Sequence, residues 1–305
     1  MTEELSKMQQ ALAWCDERIG PYDADERDPR FHGRTTVIRI RRGRERLYLK
    51  IYEEQEGFEA EVHAYEQWTQ AIAPHAPTLV AARKAYPSAL LLSALPGISL
   101  GRAGLSMSQQ EQVWETAGHV LAVLHNQAQG RFFGACQRDG SPAGPEITDA
   151  VAYVSCELER EAQCGIENSY LTADELAVIE RARALLPAFA GERPVPCHRD
   201  YIPVNWIVSP AGAWVGVIDF EFSRWDVRVS DLARYPDWQW LTQPNLVQAL
   251  LRGYGWELTP QEEQQLLVTR VVYAVSAIVW GSQAAYHGFV REGREALRHL
   301  SGLLP

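Results

Sequence analysis

Residues 196–233 bring together, in two short segments, the side chains best suited to chemistry. In the first segment Asp200 follows a His-Arg pair, and Asn205 lies five residues further on. In the second, the apolar residues 214–218 form a predicted buried strand that ends at Asp219. A carboxylate can accept a proton or orient a hydroxyl, and carboxylate or amide oxygens are good ligands for Mg²⁺. The two segments therefore predict a general base and a magnesium site.

The spacing of residues in the first segment indicates the class of reaction. His198-Arg199-Asp200, followed after four residues by Asn205, has the H-R-D-x-x-x-x-N spacing of a kinase catalytic loop. Phosphoryl transfer needs a base to hold the acceptor hydroxyl, metal ligands for the phosphates and a lysine to anchor them. Asp200 fits the first role, and Asn205 with Asp219 fits the second. An Asp after a strand is also a common turn residue. The prediction therefore depends on the occurrence of Asp200, Asn205 and Asp219 together and in this order.

Upstream, Lys50 is the candidate for the anchoring lysine. Residues 46–52 alternate as a strand, which places Tyr48 and Lys50 on one face. A helical pattern over 58–71 follows, and Glu61 falls inside its apolar stripe. A carboxylate among apolar groups needs a partner, and Lys50 is the natural one. An exposed strand lysine and a helix-surface acid are the alternative interpretations of these two residues.

The surrounding elements predict an α+β fold with two lobes. Strands over 37–41 and 46–52, joined by a glycine turn, form a hairpin, and residues 89–97 read as a buried strand ending in a Pro-Gly break. From there the pattern is mostly helical, with capping boxes predicted at Ser108, Thr172 and Thr259. We expect a small antiparallel-sheet N-lobe over 1–95, a hinge about 92–97, and a larger helical C-lobe over 96–305.

Composition limits the partners and the compartment. The net charge of −10 argues against nucleic acid, and the scattered cysteines contain no C-x-x-C motif, so a cytoplasmic location is the simplest expectation. No secretory signal is recognisable at the N-terminus, and the apolar run 271–280 is too short to span a bilayer, so no membrane partner is expected.

The acidic stretch 145–180 either attracts a cationic substrate or is a solvated helix face. Trp238, Trp240 and Trp256 either line an acceptor pocket or pack in the core.

The chain resembles the aminoglycoside phosphotransferase and choline kinase family, a branch of the protein-kinase-like fold. The segments that carry the resemblance span most of the chain and read RLYLKIY, FEAEVHAYEQW, LLLSALPG, HVLAVLHN, CHRDYIPVNW, VIDFEFSRWD and SDLARY. The resemblance implies that Asp200 is the catalytic Asp and that Asn205 and Asp219 bind Mg²⁺. It also implies that Lys50 binds the α- and β-phosphates of ATP, with GTP as the alternative nucleotide, and that Glu61 is its ion-pair partner.

The resemblance also implies an adenine site at the hinge. Tyr48, two residues before Lys50, matches an aromatic that can stack on adenine, and strand alternation places it on the Lys50 face. The LLLSALPG segment suggests that the backbone C=O of Ser93 and the N–H of Leu95 bind the base. Asp231 matches the family's structural aspartate that braces the catalytic loop.

Three features depart from the resemblance. No G-x-G-x-x-G precedes the hairpin, and residues 32–36 are the nearest equivalent of a phosphate-covering loop. Glu221 replaces the Gly of the protein-kinase D-F-G, which argues against a switchable activation loop. Arg199 stands where many aminoglycoside phosphotransferases have Gly, and it either holds transferring charge or bridges to a neighbouring acid.

The predicted function is an ATP- and Mg²⁺-dependent O-phosphotransferase that acts on a small, hydroxylated, cationic molecule. An aminoglycoside or a basic peptide antibiotic is the favoured acceptor, and resistance the favoured role. Choline, homoserine, fructosamine and methylthioribose kinases are alternatives, as is a nucleotide-binding pseudokinase. We expect a monomer or a weak dimer.

Overall fold

A computed structural model of the 305-residue chain describes residues 2–31, 35–234 and 243–305. Its amino-terminal part is a five-stranded antiparallel sheet with the strand order β1-β2-β3-β5-β4. The strands are β1 Asp23–Phe31, β2 Thr35–Arg42, β3 Glu45–Tyr52, β4 Leu79–Arg83 and β5 Ala89–Ser93. Helix α1 (Thr2–Ile19) and helix α2 (Gln55–His63) complete this lobe.

Alternation along β3 separates an apolar face from the face that carries Lys50. Leu47, Leu49 and Ile51 are buried in one cluster with Trp14 of α1. The opposite face, towards α2, contains Lys50, which is the register partner of Leu90 on β5. The sheet therefore fixes Lys50 on the side where α2 can supply Glu61.

The carboxyl-terminal part is mostly helical and contains two small sheets. Its helices are α3 Met107–Asn126, α4 Ala150–Glu167, α5 Ala173–Arg183, α6 Pro244–Tyr254, α7 Pro260–Gln283 and α8 His287–Ser301. Its strands are β6 Ile98–Ser99, β7 Val195–Cys197, β8 Trp206–Val208, β9 Trp214–Val217 and β10 Arg224–Asp226. One sheet has the order β6-β8-β9, and β7 pairs with β10. The β7–β8 and β9–β10 connections carry the predicted chemistry.

Two of the three predicted helix caps are confirmed. Thr172 and Thr259 each form a capping box, with Glu175 and Glu262 as the reciprocal partners. The box predicted at Ser108 is wrong, because the N-cap of α3 lies two residues earlier, at Ser106. The side chain of Gln109 accepts a hydrogen bond from the Ser106 backbone N–H (3.1 Å), so glutamine serves here in place of glutamate.

One strand and one helix also differ from the sequence prediction. The residues of β1 are strongly charged and do not alternate, so most of this strand was not predicted. Among the described strands it is an edge strand that pairs through its backbone with β2 alone, a pairing that does not depend on an alternating sequence pattern. The helix predicted over 58–71 is also shorter, because α2 gives way to a π-helical turn at Ala64–Trp68 and a 3₁₀ turn at Thr69–Ile72.

Helix α7 forms the centre of the helical core. Within the described residues it is the one helix whose length and composition would allow it to cross a membrane. However, 67% of its most apolar window is buried inside the protein, where it packs against α4 and α8. Burial of this extent is typical of a helix in the core of a folded protein.

Helices α3 and α6 cross closely at two glycines. A Cβ added to Gly253 would overlap the carbonyl oxygen of Glu115, and one added to Gly118 would overlap that of Leu250. Since a backbone carbonyl cannot move aside without shifting its helix, both positions require glycine at this spacing.

Gly253→Ala is therefore expected to lower the free energy of unfolding by about 1–3 kcal/mol, because the overlap outweighs the gain in helix propensity. The matched control is Gly288→Ala in α8, where the nearest heavy atom lies 3.6 Å from the added Cβ. Urea denaturation should show the control unchanged or slightly stabilised. Equal stabilities for the two variants would contradict the close crossing.

Candidate active site

The two loops with the predicted chemistry meet through backbone and histidine contacts. The Ile218 N–H donates to the backbone carbonyl of Asn205 at 3.0 Å, next to the pairing of β8 with β9. His198 Nε2 lies 3.1 Å from the carbonyl oxygen of Ile218. These contacts fix the Asp200–Asn205 loop beside the strand end that carries Asp219.

His198 has a structural role in this arrangement. Its ring is fully buried and packs against Phe220, with 4.5 Å between the ring centroids. The Asp200 N–H donates to Nδ1 at 3.2 Å, so Nε2 carries the proton that is donated to Ile218. Burial lowers the pKa of His198, in agreement with this neutral form.

Asp200 and Asn205 are buried together. The Asn205 amide donates to Asp200 Oδ2 at 2.7 Å and to the Asp200 carbonyl at 3.0 Å. The guanidinium of Arg234 forms an ion pair with the other oxygen, Oδ1. The carboxylate is therefore held in one orientation by an amide and a cation.

Lys50, on β3 of the amino-terminal lobe, is the centre of a charged cluster at the cleft between the two lobes. Its Nζ lies 2.6 Å from Glu61 Oε2, 2.5 Å from Asp219 Oδ1 and 3.0 Å from Glu221 Oε2. Burial alone would lower the pKa of Lys50, but the carboxylates of Asp219 and Glu61 raise it well above its ordinary value. Lys50 is therefore a fixed cation, and its predicted contact with Glu61 is present.

Glu61 connects α2 to the segment that carries Asp219. It is fully buried, accepts a hydrogen bond from the Tyr52 hydroxyl, and accepts a second from the Phe220 N–H at 3.2 Å. Burial raises the pKa of Glu61 to about 7, although Lys50 opposes the shift. The helix, the strand and the Asp219 loop thus share one buried carboxylate.

The carboxylates around Lys50 could hold a divalent cation. One oxygen from each of Glu61, Asp219 and Glu221 lies within 4.8 Å of the others, and Asp219 is the most exposed, at 35% of its side chain. Hard oxygen donors of this kind suit Mg²⁺. Glu221 was not among the predicted site residues, although its place two residues after Asp219 was the signal that could have identified it.

Asp231 makes the contacts that a brace of the catalytic loop requires. It accepts hydrogen bonds from the backbone N–H groups of His198 (2.9 Å) and Arg199, and His125 Nε2 lies 2.9 Å from it. Tyr254 hydrogen-bonds to the other nitrogen of His125 at 2.8 Å. Burial would raise the pKa of Asp231, but the hydrogen bond from His125 and the neighbouring charges hold it below its ordinary value.

Arg199 bridges to a neighbouring acid, which was one of its two predicted roles. Its guanidinium donates to Asp226 Oδ2 at 2.8 Å, and Tyr153 donates to the same oxygen at 3.0 Å. The backbone of Arg199 has φ = +68°, a left-handed conformation that favours glycine. The ion pair thus ties a strained residue next to Asp200 to β10 and α4.

Arg199→Gly is expected to lower the free energy of unfolding by about 2–4 kcal/mol. Removing one member of a buried ion pair costs about 3–5 kcal/mol, and relief of the backbone strain returns about 1 kcal/mol. Urea denaturation of the two proteins at neutral pH measures the difference. A variant more stable than wild type would show that the strain, not the ion pair, dominates at this position.

The residues predicted to bind the nucleotide base lie in β3 and at the end of β5. Tyr48 is 38% exposed and pairs in register with Leu92. Ser93 ends β5, and its Oγ accepts a hydrogen bond from a backbone N–H at 2.8 Å. The Leu95 side chain lies against Gly216 of β9. Leu95 thus contacts the carboxyl-terminal part, and the hinge and the contacts of these residues with a nucleotide base stay predictions.

Some predicted features lie outside the described residues, namely 32–34 of the phosphate-covering loop together with Trp238 and Trp240. Trp256 is described and is buried, and its indole N–H donates to Glu262 at 3.0 Å. It therefore packs in the helical lobe.

The acidic stretch 145–180 is substantially paired. Arg160 forms ion pairs with Glu157 (2.6 Å) and Glu161 (2.9 Å). Arg183 binds Glu159 and Glu180, and Arg294 lies 3.2 Å from Glu175. This arrangement favours the interpretation of the stretch as a solvated, paired surface.

Comparison with known proteins identifies the family of the chain. The model of a family described as the phosphotransferase enzyme family matches residues 30–266. A search of curated proteins by sequence gives no match.

Several solved structures share the fold at low sequence identity. A thermostable mutant of aminoglycoside phosphotransferase APH(4)-Ia, in ternary complex with AMP-PNP and hygromycin B, has a TM-score of 0.73 and 12% identity, over 94% of this chain and 96% of its own. APH(2")-IIia with GDP and kanamycin has a TM-score of 0.71 and 13% identity, over 99% of both chains. APH(2")-IIa with gentamicin has a TM-score of 0.68 and 13% identity, over 94% and 95%. The predicted two-lobed, kinase-like fold is confirmed.

Proposed function

The chain belongs to the phosphotransferase enzyme family, and from this premise we propose that it transfers the γ-phosphate of ATP, with Mg²⁺, to a hydroxyl of a small cationic molecule. That it is a small-molecule kinase follows from the family. The observation that carries the proposal is the convergence of Glu61, Asp219 and Glu221 on Lys50, beside the buried Asp200–Asn205 pair.

In this proposal Lys50 anchors the nucleotide phosphates, since it is a fixed cation whose ammonium group is held in place by Glu61 at 2.6 Å. Asp200 accepts a hydrogen bond from the acceptor hydroxyl and orients its oxygen towards the γ-phosphorus. Asn205 holds the carboxylate in place through the 2.7 Å hydrogen bond. Positioning of this kind supplies much of the rate acceleration in phosphoryl transfer.

The donor set fits magnesium. Asp219 and Asn205 would hold the ion, and Glu221 stands near enough to Asp219 to assist. Bound Mg²⁺ would neutralise the charge of the phosphates. Lys50, which is ion-paired to Asp219, would donate hydrogen bonds to the phosphates when a nucleotide is bound.

An aminoglycoside is the favoured acceptor. The structural neighbours were solved with hygromycin B, gentamicin and kanamycin, which supports an acceptor that is hydroxylated and cationic. A basic peptide antibiotic fits the same description, and inactivation of an antibiotic is the proposed role. One neighbour was solved with GDP and another with AMP-PNP, so both ATP and GTP are candidate donors. The cytoplasmic location and the oligomeric state stay predictions.

An acceptor panel tests the proposal. The protein is incubated with Mg²⁺ and either ATP or GTP, together with aminoglycosides, peptide antibiotics, choline, homoserine, fructosamines, methylthioribose or simple sugars. The release of ADP or GDP is followed. An aminoglycoside should stimulate release most strongly. Stimulation by a metabolite alone would reassign the acceptor, whereas nucleotide binding without any stimulated release would favour a pseudokinase.

A further inference from the structure

The guanidinium of Arg234 covers the carboxylate that the proposed function uses to orient the acceptor. Asn205 donates to Asp200 Oδ2 at 2.7 Å, and Arg234 forms its ion pair with Oδ1. Both oxygens of a residue that is only 6% exposed therefore already have partners. An incoming hydroxyl must share or displace the contact with Arg234 before it can reach Oδ1.

Aromatic packing and the catalytic-loop brace hold Arg234 in this place. Its guanidinium carbon lies 5.8 Å from the ring centroid of Tyr273 on α7, within the range of a cation–π interaction. Arg234 also follows Asp231 by three residues, and Asp231 is fixed to the backbone of the catalytic loop. The cation thus approaches Asp200 from the helical lobe.

A phosphotransferase must exclude water as a competing acceptor. In hydrolysis a water oxygen forms a bond to the γ-phosphorus while the bond from that phosphorus to the bridging oxygen of ADP breaks. The water proton passes to a base and then to solvent, and the products are ADP and inorganic phosphate. An uncovered carboxylate in an acceptor-free site would hold and orient that water.

We propose that Arg234 determines the selectivity for the acceptor over water, by occupying Asp200 Oδ1 until an acceptor hydroxyl displaces it. Water, which brings no binding energy from a larger molecule, cannot displace the guanidinium efficiently. An acceptor held elsewhere in the cleft can do so, because its remaining contacts offset the loss of the ion pair. This inference rests on the proposed function, since it needs Asp200 as the group that orients the nucleophile.

The test uses water as the probe, so no acceptor has to be known. Phosphate release from ATP with Mg²⁺ is measured without acceptor for wild type, Arg234→Met and Arg234→Lys. The methionine variant is expected to release phosphate about tenfold faster, because the carboxylate is open to water. The lysine variant should stay near wild type, since an ammonium group can still pair with Oδ1. Combining Arg234→Met with Asp200→Asn should abolish the increase.

Arg228→Met is the matched control. Arg228 lies on the same segment and over another aromatic ring, with 6.0 Å to the centroid of Trp256. It should leave acceptor-free hydrolysis unchanged. Should Arg234→Met fail to fold, as judged by thermal unfolding, Tyr273→Leu removes the ring beside the guanidinium and should give a smaller increase.

Two results overturn the inference. One is acceptor-free hydrolysis that is unchanged or lower in the folded Arg234 variant, and the other is an increase that persists in the double variant with Asp200→Asn. If wild type still phosphorylates an acceptor in the panel, only the role of Arg234 fails. If wild type phosphorylates no acceptor although it binds nucleotide, the proposed function fails as well.

Discussion

Replacing Asp200 by asparagine is expected to lower the turnover number for phosphoryl transfer by about 10²–10⁴-fold. The amide keeps the shape of the side chain but cannot accept the hydroxyl proton, and its hydrogen bond with Asn205 must rearrange. Nucleotide affinity should change little, because the anchoring cation is Lys50, on the other side of the cleft. Steady-state kinetics with an acceptor from the panel, together with calorimetric titration of nucleotide, measures both quantities.

Ser99→Ala is a suitable control for this substitution. The Ser99 hydroxyl donates to the carbonyl of Val204 in the same loop at 2.7 Å, so its loss perturbs the loop without touching Asp200. Its turnover should remain within a few-fold of wild type. An Asp200→Asn enzyme that keeps a near-wild-type rate would remove Asp200 from the mechanism.

Replacing Lys50 by methionine is expected to abolish productive nucleotide binding and to lower the free energy of unfolding by about 3–5 kcal/mol. The substitution leaves Glu61, Asp219 and Glu221 crowded together without their cation. Lys84→Met is the matched control, because Lys84 pairs with Glu59 at 2.8 Å but is 66% exposed. Since the Lys84 side chain lies mostly in solvent and Glu59, although buried, keeps its hydrogen bonds from Gln55 and the Arg138 N–H, loss of this pair should cost about 1 kcal/mol or less.

The effect of Lys50→Met should depend on pH in a defined direction. In wild type, burial raises the pKa of Glu61 from its ordinary 4.5 to about 7, so the folded protein binds this proton more tightly than the unfolded chain. The stability from this group is fully present below pH 4.5 and is lost as the pH rises through 7. Without the cation the pKa of Glu61 rises further, so the loss extends to higher pH.

Urea denaturation of wild type and Lys50→Met across this pH range, without divalent cations, tests the direction. The stability difference between the two proteins should widen as the pH rises. A constant difference, or one that narrows, would mean that Glu61 does not carry the uncompensated charge.

The part of the site that depends on local patterns was predictable from the sequence. The spacing of Asp200 and Asn205, the strand that ends at Asp219, and the inward position of Glu61 each follow from the chain near them. Strand and helix periodicity were enough to bring Lys50 and Glu61 together, and the structure has them 2.6 Å apart. The two-lobed order of elements followed from the same patterns.

Contacts between distant segments were not predictable in this way. Glu221 was interpreted as a substitution for glycine; its place two residues after Asp219 marks it as a neighbour of the metal site, but only the tertiary fold shows that its carboxylate reaches Lys50 at 3.0 Å. Likewise, only the tertiary fold shows that Arg234 contacts Asp200. The same holds for the ion pair between Arg199 and Asp226. The acidic stretch 145–180 was ambiguous because its arginine partners include Arg183 and Arg294, which lie beyond it in the chain.

The most direct test of the central claim follows the γ-phosphate itself. The protein is incubated with Mg²⁺, ATP labelled at the γ-phosphorus and the best acceptor of the panel, and the label is located by chromatography and mass spectrometry. The account predicts that the label appears as a phosphate ester on an acceptor hydroxyl, in equal amount to the ADP formed. Label found only in inorganic phosphate or on the protein would contradict it.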